Sequence, residues 1–111
     1  MLNINESSES GVQIISLEGR LDTSTSADFD FALEPYSDKP TKLVVDLAGV
    51  QYVSSAGLRV FLMLAKKLQK SQGALVLCNL TPSVKEVFDI AGFSKMLNIQ
   101  SDRAAAISAL S

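Results

Sequence analysis

Three consecutive segments in the middle of the chain narrow its fold more than anything else in the sequence. Leu43 to Leu47 is a near-continuous apolar run of the kind buried on both faces of a sheet. Gly57 to Lys70 has helical spacing. Ala74 to Cys78, introduced by Gly73, is a second apolar run. Strand, helix and strand at these lengths form a β-α-β unit, in which the strands are expected to lie parallel and the crossover to be right-handed.

The flanks extend this unit. Leu2-Asn3-Ile4-Asn5 and Val12 to Leu17 alternate in polarity, and the polar stretch from Glu6 to Gly11 between them predicts an antiparallel hairpin. Gly19 and Asp22 mark a turn. Asp22 or Thr23 can cap a helix to about Leu33, which would bury Phe29, Ala32 and Leu33, followed by a Pro35 to Pro40 loop. After Cys78, Thr81-Pro82 opens a helix to about Ile90, because the N–H that proline lacks has no helical partner at that position. Gly92 ends it, Leu97 to Ile99 suggests a short edge strand, and Asp102 caps a last helix carrying Ala106, Ile107 and Leu110. The expected fold is α/β: one mixed β-sheet of about four to five strands with about four helices packed mainly on one side. The 111 residues are expected to form a single domain around one core, since 47% are hydrophobic.

Composition removes several functions. Ten basic and twelve acidic side chains leave a formal charge of −2 without a basic block, so no nucleic acid partner is expected. Histidine is absent, which withdraws the commonest general base and metal ligand together. No enzyme activity, cofactor or metal site is expected. Cys78 lies inside an apolar run, where a lone cysteine is a small core residue. The Met1 end shows no signal segment and no apolar run approaches the roughly 20 residues that span a bilayer. A cytoplasmic location, no membrane partner and a monomer are therefore the expectation.

Chemistry concentrates between Asp46 and Leu58. Ser54 and Ser55 stand where a strand passes into a helix whose first N–H groups have no internal partner. Ser55 is a poor nucleophile candidate, because no base is in view and the surroundings are not Gly-x-Ser-x-Gly. As a phosphate carrier it is better placed. A phosphate there would meet the amides of about Ala56 to Leu58 and the positive end of the helix, and Gly57 leaves room for close approach. The alternative is that Ser55 only caps the helix. On that helix Leu58, Phe61, Leu62, Ala65 and Leu68 share the expected sheet-facing side, Leu64 lies on a flank, and Val60 and Met63 project from the far side. Either another helix covers those two, or they form an apolar strip that docks a partner.

The run Tyr52-Val53-Ser54-Ser55-Ala56-Gly57-Leu58-Arg59 resembles the signature of the STAS domain, and specifically the anti-sigma factor antagonists of bacterial partner-switching systems. Leu17-Glu18-Gly19-Arg20-Leu21-Asp22 and the segment from Pro82 through Phe88 to Gly92-Phe93 resemble flanking parts of that family. The resemblance implies that Ser55 is phosphorylated by an anti-sigma factor that is also a serine kinase. Ser54 stands where the family often has aspartate, so it is an alternative acceptor. The resemblance further implies that the unphosphorylated form binds the anti-sigma factor and frees the sigma factor, and that a PP2C-type phosphatase resets the phosphoprotein. The expected partner-binding residues are Asp22, Thr23, Ser54, Ala56, Gly57, Arg59, Val60 and Met63. Two other readings stand beside this one: a regulatory domain binding a small ligand or nucleotide, and an interaction module outside sigma control.

Overall fold

The computed structural model describes residues 2–110. Strand β1 (Leu2–Glu9) and strand β2 (Val12–Leu21) form the expected hairpin, longer than its alternating core suggested. Pairing continues from Leu2↔Gly19 to Glu9↔Val12. Only Ser10 and Gly11 turn the chain, both at positive φ (55° and 78°), as a two-residue hairpin joining twisted strands requires. The polar residues from Glu6 to Glu9 belong to the strand because β1 is an edge, where polar side chains suit a surface that must not recruit another strand.

Helix α1 (Thr23–Ser37) follows, then strand β3 (Lys42–Val53), helix α2 (Ser55–Lys70) and strand β4 (Ala74–Cys78). Helix α3 (Pro82–Ile90), a 3-10 turn (Phe93–Lys95), strand β5 (Asn98–Gln100) and helix α4 (Arg103–Ala109) complete the order. The sheet runs β1-β2-β3-β4-β5, antiparallel at the hairpin and parallel elsewhere. Among the described residues this is a mixed sheet of five strands with four α-helices, within the about four to five strands and about four helices that the sequence indicated.

Side-chain alternation divides the interior in two. Ile15, Leu17, Leu43, Val45, Leu47 and Leu77 face α1, α2 and α3, where Phe61 lies 5.3 Å from Phe29 and 5.6 Å from Phe88, centroid to centroid. Val12, Ile14, Val44, Val76 and Cys78 face α4, which covers them with Ala106 and Leu110. Cys78 is fully buried, and burial pushes its thiol pKa up to about 12, so it is packed and unreactive. On this second face Asp46 takes hydrogen bonds from the Arg103 guanidinium at 2.9 and 3.2 Å, from Ala48 N at 3.0 Å and from Asn79 Nδ2 at 3.2 Å. A carboxylate that is nearly buried is thus fully paired, and it latches α4 to the sheet.

Several boundaries differ from the sequence reading. β3 runs to Val53, not Leu47, and carries two extra residues relative to β2: its register shifts between Ser16 and Glu18 and again between Gly19 and Arg20. These bulges scramble the period-2 pattern over Ala48 to Tyr52, which is why the strand is illegible there. Gly19, expected in a turn, lies inside β2 at one of them, with φ 120°. α1 continues through Pro35 to Ser37, with Pro35 exposed in the last turn. Its buried residues are Thr25, Ser26, Phe29 and Leu33, while Ala32 is only half-buried.

Candidate functional site

The site forms where two parallel strands end. Leu21 of β2 and Val53 of β3 are register partners, so the residues after them, Asp22 and Ser54, come out side by side as the N-caps of α1 and α2. Ser54 N donates to Leu21 O at 2.8 Å, which ties the start of α2 to the end of β2.

At α1, the Asp22 carboxylate accepts from Thr25 N at 3.0 Å and Ser24 N at 3.1 Å, and Thr25 Oγ1 accepts from Asp22 N at 2.9 Å. This is a closed capping box. The Thr25 amide, followed by the Ser24 hydroxyl, holds the Asp22 carboxyl below its ordinary value. Asp22 is therefore the cap; Thr23 is the first helical residue and is exposed.

At α2 the arrangement is sparser. Ser54, not Ser55, is the cap: its Oγ accepts from Gly57 N at 3.2 Å and its carbonyl accepts from Leu58 N at 3.0 Å. The helix begins at Ser55, two residues earlier than its spacing suggested. Ser55 is exposed, and its hydroxyl has no hydrogen-bond partner among the described residues. No acidic side chain occupies the first turn.

Gly57 turns inward. A Cβ there would stand 2.9 Å from Leu21 Cγ and 3.1 Å from Val53 Cγ1, so its missing side chain lets α2 seat against both strands. Of the expected partner-binding residues it is the buried one, and half-buried Val60 also packs against the core. On the next turns Leu58, Phe61, Leu64 and Leu68 are buried; Leu64 joins the core instead of a flank, while Leu62 and Ala65 are half-buried.

α1 and α2 pack against each other. Between them is a groove of about 280 Å³, lined by Thr23, Ser26, Ala27 and Asp30 on one side and Ala56, Arg59, Val60, Met63 and Lys67 on the other. The fold thus brings together Thr23, Ala56, Arg59, Val60 and Met63, with the two caps at the groove's head. Among the described residues no helix covers Met63, which is 45% exposed; Val60 is half-buried. Ser26, Ala27 and Asp30 were missed by the sequence reading, although they repeat from Thr23 at the three-, four- and seven-residue spacing that marks one helix face.

On the other side of the serines, Arg20 stacks on Tyr52, its guanidinium carbon 4.3 Å from the ring centroid. They are partners across β2 and β3 and both are exposed. No sequence signal links residues 32 positions apart across two bulges. Among the described residues, no group of three or more His, Cys, Asp or Glu could hold a metal, and no helix is long and apolar enough to cross a membrane.

Comparison with known proteins fits this geometry. The STAS domain family model matches residues 3–106. BtrV of Bordetella bronchiseptica, provisionally named an anti-sigma factor antagonist, is 41% identical over 100 residues, covering 89% of this chain and 86% of that protein. The anti-sigma-B factor antagonist of Listeria monocytogenes is 36% identical over 87 residues, covering 78% and 76%. The crystal structure of an anti-sigma factor antagonist from Mycobacterium paratuberculosis superposes with a TM-score of 0.90 at 23% identity, covering 99% of this chain and 94% of that one. The chain belongs to the STAS domain family and stands among relatives named anti-sigma factor antagonists.

Proposed function

We propose that this protein is an anti-sigma factor antagonist controlled by reversible phosphorylation of Ser55. The unphosphorylated form holds an anti-sigma factor that is also a serine kinase, through the α1–α2 groove and the exposed head of α2, and the sigma factor is thereby freed. The kinase transfers the γ-phosphoryl group of ATP to Ser55 Oγ, with loss of the hydroxyl proton and release of ADP. A PP2C-type phosphatase returns the hydroxyl by hydrolysis. The role is one of binding and not of catalysis.

One observation carries this reading: at a helix start with no acid in its first turn, Ser55 is exposed and unpaired while its neighbour Ser54 is committed to capping. Magnitudes support a switch. A phosphoserine adds about −1.5 to −2 charges, and a helix N-terminus stabilises an anion by about 0.3–1 kcal/mol, so the domain tolerates the group. Trapping the same charge unpaired in a fitted interface costs about 2–5 kcal/mol. About 3 kcal/mol is roughly a hundredfold in affinity, enough to exchange partners.

The test is reconstitution with the purified anti-sigma factor and its sigma factor. Unmodified protein should displace the sigma factor, and protein phosphorylated on Ser55 should leave that complex intact. Equal displacement by both forms would refute the switch.

A further inference from the structure

The charges along the α1–α2 seam are sorted. Every charged side chain in α1 and at its C-cap is acidic: Asp28, Asp30, Glu34 and Asp38, all exposed. Every charged side chain in α2 is basic: Arg59, Lys66, Lys67 and Lys70, also exposed. The helices are neighbours, yet no ion pair joins them among the described residues, where the ion pairs are Lys85–Asp89 and Arg103–Asp46. Neither row is consumed by the other.

The sorting persists along the whole seam. In the upper groove Asp30 faces Arg59 and Lys67 across a strip formed by Ala27, Val60 and Met63. Beyond it, at the far ends of the same helices, a roomier groove of about 740 Å³ sets Glu34 and Asp38 against Lys67 and Lys70. The two lie between the same helices and share Lys67. From Thr23 to Asp38 the seam is about 22 Å long at 1.5 Å per residue, close to four helical turns. Its field runs across the seam, negative along one edge and positive along the other.

We propose that the seam receives an amphipathic helix of the partner. Its apolar ridge lies on Ala27, Val60 and Met63, a basic flank lies along α1 and an acidic flank along α2. This rests on the reading of the α1–α2 face as the partner-binding surface and adds the chemistry of what docks there. A helix fits because the seam is a straight channel between two rods and offers no free strand edge for backbone pairing. The transverse charge pattern also fixes direction: reversing a helix that carries a different charge on each flank exchanges its flanks, so one orientation pairs every charge and the other opposes them.

The probe is a stapled helical peptide of about 18 residues with a leucine ridge, lysines on one flank and glutamates on the other, and a nitroxide at its N-terminus. Comparators carry lysine on both flanks or glutamate on both. Titration into the full chain, followed by amide NMR shifts, is expected to move Ala27, Ala56, Val60 and Met63, with the two-signed peptide binding at least about tenfold tighter than either comparator. Paramagnetic broadening should fall at one end of the seam only. In a variant combining D30K, E34K, R59E and K67E the same peptide should still bind and the broadening should move to the other end. Equal affinity for the three peptides, shifts away from the seam, or a label that does not move would overturn the proposal. So would sedimentation of the protein alone as a dimer that the charge reversals dissociate, which would give the seam to a second copy. Because this readout uses neither kinase nor phosphate, failure of the Ser55 switch and failure of the seam proposal are separable.

Discussion

Helices α1 and α2 begin side by side on adjacent parallel strands, yet they are secured by different forces. The start of α1 is polar and closed: a carboxylate at Asp22 takes two amides, and at the third helical position Thr25 returns the bond. The start of α2 is packed and open. Its third position is Gly57, wedged on Leu21 and Val53, its cap is a single neutral hydroxyl, and Ser55 points to solvent. Where packing holds a helix end, its electrostatics are left free. A charge placed at α2 would leave the packing that fixes the helix in place, whereas α1 already carries its own.

Substitution at the matched third positions probes this contrast most strongly. Gly57→Val forces side-chain atoms into the 2.9 Å approach to Leu21 and should destabilise by about 2–3 kcal/mol in chemical denaturation, as overpacking typically does. Thr25→Val keeps the shape but strips the hydroxyl that serves the Asp22 amide and the Arg20 carbonyl, costing about 1–2 kcal/mol. A Gly57 variant as stable as wild type would show that α2 is not seated by packing.

The caps themselves come next. Ser54→Ala loses one 3.2 Å hydrogen bond and should cost about 0.5–1 kcal/mol, while Ser54→Asp should raise stability by about 0.3–1 kcal/mol by giving α2 the anion that α1 possesses. At α1 the charge makes stability depend on pH. Asp22 has its pKa lowered from 3.8, chiefly by the Thr25 amide, so its stabilisation is complete above 3.8 and is lost as the pH falls through the lower folded value. Thermal melts should show Asp22→Asn below wild type by a few degrees at pH 7, with the difference narrowing as the pH falls below 3.8. The smallest effect is expected at Tyr52→Leu, which removes the exposed stacking of Arg20 for about 0.5 kcal/mol.

What could be read from the sequence, and what could not, divides along the same line. The β-α-β unit, the Asp102 cap and Pro82 at the start of α3 follow from rules that act within a few residues and stand as read, while of the two caps open for α1, Asp22 and Thr23, the structure uses Asp22. Thr81 was placed at that helix start for its position, but its hydroxyl bonds Val50 O at 3.1 Å and not the helix amides. The assignment of the cap to Ser54 over Ser55 depended on where β3 ends, and two bulges hid that end. The inward Gly57 depended on Leu21, 36 positions earlier, and the latch between Asp46 and Arg103 spans 57 positions. Contacts of that range leave no local pattern. Of the proposed surface, Val60 and Met63 were legible as apolar residues on the wrong side of a helix, whereas their acidic opposite wall on α1 emerged only when the strands set the two helices side by side.

In the proposed switch Ser55 alone takes the charge while the fold stays intact. This is tested most directly by incubating the protein with its anti-sigma factor kinase and ATP, locating the phosphate by mass spectrometry, and comparing amide NMR spectra before and after. Phosphate is expected on Ser55, none on Ser54, with shifts confined to the head of α2 and the groove beside it. Phosphate on Ser54, or loss of the native spectrum on modification, would contradict it.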